Sequence, residues 1–384
     1  MARLGDVCIF QSGGTPSKSN DAYFGGTIPW ITTVALNGSV IGNENAVEWI
    51  TEQAIAESAA KIVPAKSIMA GTRVGVGKVA INNVPMSTSQ DIISLLQIDE
   101  SQWYKPFLCK FILSQSDYLN SQARGATIKG IKIDVLASLQ LPSIPIEHQK
   151  HIASVLDQAD TLISLRKQQI AKLDELVKAR FVEMFGDIIY NTKQWPQYRF
   201  DTIASSRLGK MLDAKKQTGT SSYPYLANFN VQWFRFDLSK LNSMDFDEND
   251  QVEFALQEGD LLVCEGGEIG RCAVWHNEIE NCYFQKAIHR VRCNKAIILP
   301  EYLAWWFKYN CEYGGFSDIE GAKATIAHLP GAKLKALTVT VPVLSLQHQF
   351  AAFVAQTDQQ KFTIQHSLAQ LELLKKALMQ KYFG

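Results

Sequence analysis

The middle of this chain recurs as its end. Ala126 to Gly186 and Ala324 to Gly384 align at a constant offset of 198 residues, with no gap. The matched pairs are Ala126/Ala324, Thr127/Thr325, Ile128/Ile326, Leu139/Leu337, Gln149/Gln347, Asp160/Asp358, Leu173/Leu371, Leu176/Leu374, Phe185/Phe383 and Gly186/Gly384. So long a period is too coarse for a solenoid, whose repeats run to about 20–45 residues, and marks two domain-sized copies. Any fold for this chain has to place the same segment twice, as a dimer would, and a pseudo-twofold internal repeat does so within one chain.

The segments before the two copies are related far more weakly. Ile28-Pro29-Trp30-Ile31 parallels Tyr223-Pro224-Tyr225-Leu226, Gly77-Lys78-Val79-Ala80 parallels Gly270-Arg271-Cys272-Ala273, and Gln90 falls near Gln285. The plan is variable, constant, variable, constant, with expected boundaries at 1–145, 146–187, 188–343 and 344–384.

Each constant block carries a helical pattern. Ile152, Val155, Leu156, Ile163, Ile170, Leu173 and Leu176 recur at steps of three and four among polar residues. In the second block the series is Phe350, Phe353, Ile364, Leu368, Leu371 and Leu374. Gly186 and Gly384 stand where a C-terminal cap belongs. A helix over about 148–185 would be roughly 55 Å long. Its apolar stripe requires a partner, because helices in water are stabilised chiefly by packing one face. The other copy matches in length and pattern, so the expectation is an antiparallel, coiled-coil pair holding one variable domain at each end.

The variable blocks read as mixed, strand-rich domains, which gives an α+β fold class overall. Strands are expected at Ile28 to Val34, Lys78 to Ile81, Ile92 to Gln97, Asp260 to Cys264, Cys272 to Trp275 and Ala287 to Arg292. Helices are expected near Thr51 to Ala60, Lys105 to Ser114 and Pro300 to Tyr309, and a joint between the halves at Asn191 to Pro196.

Catalytic chemistry is hard to find. Gly71 to Lys78 resembles a phosphate loop, but the glycine spacing is wrong and Val79 stands where a magnesium-binding Ser or Thr is needed. Glu147, His148 and His151 lack further ligands at zinc spacing and read as a solvated helix start. The expectation is a non-catalytic chain with no metal and no cofactor of its own. The seven cysteines include no CxxC pair, the opening residues lack a signal-peptide core, and no apolar run reaches spanning length. The expectation from those features is a chain of the reducing cytoplasm with free thiols. With 38 basic and 38 acidic residues, a DNA-binding role would need a local patch or another subunit to supply attraction.

The constant blocks, with Ile144-Pro145-Ile146-Glu147-His148-Gln149-Lys150-His151-Ile152-Ala153, identify a resemblance. So do Leu4-Gly5-Asp6-Val7, Gly13-Gly14-Thr15-Pro16-Ser17 and Gly25-Gly26-Thr27-Ile28-Pro29-Trp30-Ile31. The second half adds Gly209-Lys210-Met211-Leu212-Asp213, Gly259 to Glu268 and Tyr283-Phe284-Gln285-Lys286-Ala287. Over essentially its full length the chain resembles the specificity subunit of type I restriction-modification systems. The resemblance implies two target recognition domains, each reading one half of an asymmetric, interrupted DNA sequence, with the helices as a ruler. It also implies docking of two modification subunits that use S-adenosylmethionine to methylate adenine. Restriction subunits, driven by ATP with magnesium, complete such complexes. A scaffold binding proteins instead of DNA is the alternative that charge neutrality favours.

Base readout calls for Arg or Lys to guanine, Asn or Gln to adenine and carboxylates to cytosine. The matched Gly-rich turns supply Thr72, Arg73 and Lys78 in the first domain and Glu265, Glu268 and Arg271 in the second. Gln90, Gln285 and Lys286 follow the turns, and Lys129, Lys132 and Lys323 flank the Ala-Thr-Ile strings. These twelve residues are the DNA-binding candidates.

Overall fold

The computed structural model describes residues 2–125, 127, 129–213, 217–317 and 328–384. Four helices organise it: α1 (Lys105–Ser114), α2 (Ile146–Phe185), α3 (Pro300–Glu312) and α4 (Leu344–Phe383). The chain divides into two compact units, one of residues 1–168 with 365–384 and the other of residues 169–364. The divisions fall inside α2 and α4. The Asn191 to Pro196 tract, expected as a joint, lies inside the second unit, where Asn191 bonds both the N–H and the C=O of Trp195.

Helices α2 and α4 each run 40 residues, about 60 Å at 1.5 Å per residue. Helix α2 starts two residues earlier than the periodicity indicates, because the Pro145 carbonyl already accepts from the N–H groups of His148 and Gln149. It stops at Gly186, whose φ of +73° turns the chain while its N–H closes onto Val182.

The two units carry sheets in the same order. In the first, Ile9–Ser12, Ile92–Leu96, Ile68–Gly71 and Val79–Asn82 lie side by side antiparallel, and Val40–Ile41 joins the last of them in parallel. In the second, Ala204–Leu208, Ile288–Cys293, Leu261–Cys264 and Cys272–Val274 repeat that series. A second sheet centres on Phe24–Ile31 in the first unit and on Ser222–Leu226 in the second. Each central strand pairs antiparallel on one side and parallel on the other. The structure trims several expectations, among them the helix expected to Ala60, which ends at Glu57, and the strand expected to Trp275, which ends at Val274. The strand from Ile28 ends at Ile31, because Thr33–Ala35 turn as a 3-10 helix. The strand from Ile92 ends at Leu96, because Gln97 takes a φ of +54°.

One glutamine per unit pins a long helix to its domain. Gln149 accepts from the Tyr104 N–H at 2.9 Å and donates to the carbonyls of Gln102 and Ile144 at 2.9 and 3.0 Å. Gln347 accepts from the Leu299 N–H at 2.8 Å and donates to Ile297 and Pro342 at 3.0 and 2.8 Å. Both are buried, so each amide satisfies backbone groups that water does not reach. The helix ends are pinned by rings. In the first unit Phe383 packs on Phe107 and Phe111 of α1, at 5.3 and 5.9 Å between centroids. In the second, Phe185 packs on Tyr302 of α3 at 4.9 Å.

Ile152 and Leu156 therefore belong to the core of the first unit, with Phe383 and the opening Leu4, and Phe350 to that of the second. Within the first unit α2 and α4 run side by side in opposite directions, with Asp160 paired to Lys375 and Lys167 to Glu372 at 2.9 Å. The second unit pairs Asp174 with Lys361 at 2.7 Å and Phe181 with Phe350 at 5.4 Å, in the same antiparallel sense. Val155, Ile163, Ile170, Leu173, Phe353, Ile364, Leu368 and Leu371 are half-buried. Leu176 and Leu374, expected among the packing residues, are 49% and 51% exposed, since a helix pair buries only a narrow stripe of each partner.

Candidate nucleic-acid interface

In the first unit the turn between Ile68–Gly71 and Val79–Asn82 is closed by bonds from the Gly71 N–H to the Lys78 carbonyl and from the Gly77 N–H to the Gly71 carbonyl. Thr72 follows the strand and is buried. Its N–H and hydroxyl both donate to the Asp91 carbonyl, at 2.9 and 3.2 Å, and its own carbonyl accepts from Ile131 at 2.8 Å. Thr72 is thus a staple joining three segments, with its polar groups spent internally. The staple holds Ile131 against the turn, and with it Gly130 and its partner Arg124. Arg124 and Gly130 exchange backbone bonds, and Gly130 lies so close that a Cβ there would meet Arg73 Cγ at 2.9 Å.

Arg73, Arg124, Lys129 and Lys132, all exposed, lie on these bonded segments, and Lys78 is exposed on the same turn as Arg73. Among the described residues none of these five forms an ion pair, whereas Lys105, Lys110, Lys150, Lys167, Arg199 and Lys375 all do. Arg124 was not among the candidates; its place before Gly125, which adopts a φ of +140°, is the signal in the sequence. Gln90 is exposed beside Thr15, whose hydroxyl accepts from the Gln90 N–H at 3.5 Å. Gly13 permits that approach, because a Cβ there would fall 2.2 Å from the Ser89 carbonyl.

The second unit repeats the backbone scaffold. The Glu265 N–H donates to Ala287 as that of Thr72 does to Asp91, and the Glu265 carbonyl accepts from Leu329 as that of Thr72 does from Ile131. The Cys264 N–H meets Arg271 as that of Gly71 meets Lys78. Gly209 and Lys210 bond to Ile288 and Phe284 as Gly13 and Gly14 bond to Ile92 and Thr88. This register matches Gln90 to Lys286, one place beyond the Gln285 that sequence comparison selects.

The side chains on this shared scaffold differ. Arg271 is spent inside the turn, donating to the backbone and side-chain oxygens of Asn228 at 3.0 and 2.5 Å. Glu268 accepts from the Trp233 indole at 2.6 Å. Gln285 lies against Gly209, where a Cβ would fall 2.4 Å from its carbonyl, while Lys286 is exposed with Nζ 3.6 Å from Met211 Sδ. His289 is buried and bonded to the Leu329 carbonyl at 2.9 Å, and burial lowers its pKa, which keeps the ring neutral. Burial likewise pushes the Cys264 thiol up to about 11, out of the nucleophilic range. Lys323 lies outside the described residues. Among the described residues no three His, Cys, Asp or Glu side chains converge as metal ligands, and no helix is long and apolar enough to cross a membrane. Glu147, His148 and His151 are exposed on the first turns of α2, where Glu147 pairs with Lys150.

A family model described as the type I restriction modification DNA specificity domain matches residues 1–175 and again residues 192–373. Over 191 residues the chain is 31% identical to the type I restriction enzyme MjaIX specificity subunit of Methanocaldococcus jannaschii, covering 49% of this chain and 44% of that protein. It is 27% identical over 199 residues to the Escherichia coli EcoR124I/EcoR124II specificity subunit, covering 49% and 47%. These alignments span about half the length of either relative. With the Escherichia coli EcoKI specificity subunit the identity is 22% over 349 residues, covering 84% of this chain and 75% of that one. In fold the chain is similar to the type I system S subunit from M. genitalium, with a TM-score of 0.58 at 15% identity, covering 100% and 95% of the chains. A chain from a study of complex assembly and conformational transition of the type I R-M system gives 0.57 at 14% identity, covering 100% and 96%.

Proposed function

Since the chain belongs to the type I restriction-modification DNA specificity family, we propose that it is the sequence-reading subunit of such a complex, each unit recognising one half of an asymmetric, bipartite DNA target. On this reading residues 1–145 and 188–343 are the target recognition domains, and 146–187 and 344–384 are the helices that set the spacer and dock two modification subunits. The observation that carries the reading is one hydrogen-bonded scaffold presenting different side chains. Thr72 stands against Glu265, Lys78 against Arg271 and Gln90 against Lys286. Two readers of one backbone design and unlike surface chemistry suit a target whose halves differ.

The chain's own work is binding and orientation. Arg73, Lys78, Arg124, Lys129 and Lys132 supply the local positive charge that a neutral chain needs to attract phosphates, and Gln90 and Lys286, both exposed, are the side chains suited to base edges. Methyl transfer from S-adenosylmethionine belongs on this reading to the modification subunits, and ATP and magnesium to restriction subunits. The exposed apolar residues Leu162, Leu165, Leu373 and Leu374 on the helix segments of the first unit, and Leu176 and Phe362 on those of the second, supply docking surface. The family leaves the protein-only scaffold without support.

Selection from a random duplex pool, with and without the cognate modification subunits, tests the proposal. Enrichment of one interrupted, non-palindromic motif by the assembled complex is the expected result. Methyl transfer by this chain alone, or enrichment of a palindrome, overturns it.

A further inference from the structure

One groove is built the same way in both units and filled in only one. After the 3-10 turn Thr33–Ala35, Gly38 adopts a φ of +85° and its N–H donates to the Val79 carbonyl at 2.7 Å. After the corresponding turn Asn228–Asn230, Phe234 adopts a φ of +62° and donates to the Cys272 carbonyl at 2.9 Å. The glutamine anchors fix the register of the neighbouring helices, since Tyr104 meets Gln149 as Leu299 meets Gln347. Lys110 of α1 therefore corresponds to Trp305 of α3, and Leu113 to Lys308.

In the second unit the site is closed by the chain's own rings. Phe234 stacks on Trp305 with centroids 4.5 Å apart and planes 18° from parallel, and the Lys308 ammonium lies 4.5 Å from the Trp233 ring. The first unit has Asn37 and Gly38 in place of those two rings, and a cleft of about 750 Å3 opens there. Val40, Ile81, Leu113 and Leu165 line it, and Val40 and Leu165 are 60% and 49% exposed. Its charges cancel within the wall: Lys110 is held by Asp157 and Asp160 at 2.8 Å each, and Lys375 also pairs with Asp160. A cleft of neutral balance has no electrostatic pull for phosphate or for a charged peptide. It is complementary to an uncharged ring, which removes a large apolar area from water on insertion.

We propose that this cleft receives an aromatic side chain of one modification subunit, in the place that Trp233 and Phe234 occupy in the second unit, so that the two docked copies are held unequally. The inference rests on the reading that modification subunits dock along α2 and α4; Leu165 and Gln168 of α2 line the cleft and make it continuous with that surface.

Two variants of the full chain test it with separately purified cognate modification subunit, counted by native mass spectrometry and titrated by calorimetry. Asn37→Trp supplies the missing ring from within, and Val40→Glu with Leu165→Glu places charge on exposed apolar lining. Each is expected to weaken one of the two binding events at least tenfold while the other keeps its affinity, which also reports that the chain remains folded. Arg235→Glu, exposed in the second unit one residue before the match of Val40 and outside the long helices, is expected to leave both events within about twofold of wild type. Unchanged binding of both copies by the cleft variants overturns the proposal, as does equal weakening of both. A wild-type chain that binds no modification subunit overturns the functional reading itself, and the occupant with it.

Discussion

The side-chain amide of Gln149 serves three backbone groups at once, so a leucine of similar size leaves the Tyr104 N–H and the Gln102 and Ile144 carbonyls without partners at a buried site. Each orphaned group costs about 1–3 kcal/mol, so Gln149→Leu is expected to lower unfolding stability by about 3 kcal/mol or more, read as a shift in the urea midpoint. The sequence marks Gln149 and Gln347 as a matched pair, but one carbonyl that each serves lies in a loop 47 or 50 residues away, which no local pattern connects to it. The candidate interface residues show the same limit. Arg73 and Lys78 are exposed on a Gly-rich turn, and Gln90 and Lys286 are exposed on the segments that follow the turns. Thr72, Glu268 and Arg271 look alike in sequence, yet Asp91, Trp233 and Asn228 engage their polar groups. The distinction yields an expected contrast. Arg73→Ala or Lys129→Ala in the assembled complex should reduce the slope of log binding constant against log salt by about 0.9 each for a phosphate contact, and Thr72→Val should leave that slope unchanged while lowering stability. Equal slopes for all three variants would remove Arg73 and Lys129 from the interface.

Helices α1, α2 and α4 meet in the first unit at one charged cluster. Lys110, only 6% exposed at its side chain, bonds Asp157 and Asp160 of α2, and Asp160 also takes Lys375 of α4. Burial opposes the charged form of Asp160, but hydrogen bonds from Lys110 and Lys375 outweigh it and hold the carboxyl below its ordinary range. A carboxyl depressed on folding stabilises the native state above its unfolded pKa, and that contribution disappears as pH falls through the folded value. The melting temperature should therefore drop on acidification through and below the ordinary carboxylate range. Asp160→Asn should lower the melting temperature at pH 7 and flatten the acid limb of the profile; a variant profile parallel to wild type would exclude Asp160 from that limb. The long helices themselves were legible from their period and closing glycines. Their embedding was not, because Ile152, Leu156 and Phe350 carry the same apolar signal whether they face a neighbouring helix or the core of a domain.

Across the whole chain, the internal repeat is the feature on which the proposed ruler rests, and its consequence is metric. Each long helix is continuous through the residues where the compact units divide, at Gln168/Gln169 in α2 and Ile364/Gln365 in α4. Two contacts in each unit, Asp160 with Lys375 and Lys167 with Glu372 in the first, Asp174 with Lys361 and Phe181 with Phe350 in the second, show the two helices running antiparallel in each unit. Seven residues inserted at both points preserve the apolar stripe and add two turns, about 10.5 Å. Duplex DNA rises about 3.4 Å per base pair, so the preferred spacer should lengthen by about three base pairs with both half-sites unchanged. An insertion in α2 alone leaves its partner too short and should abolish binding to either spacer, because the seam loses register. Motif selection with the double insertion decides the matter. A longer spacer between the same half-sites identifies the helices as the ruler, and an unchanged spacer assigns the spacing to the recognition domains or to the modification subunits.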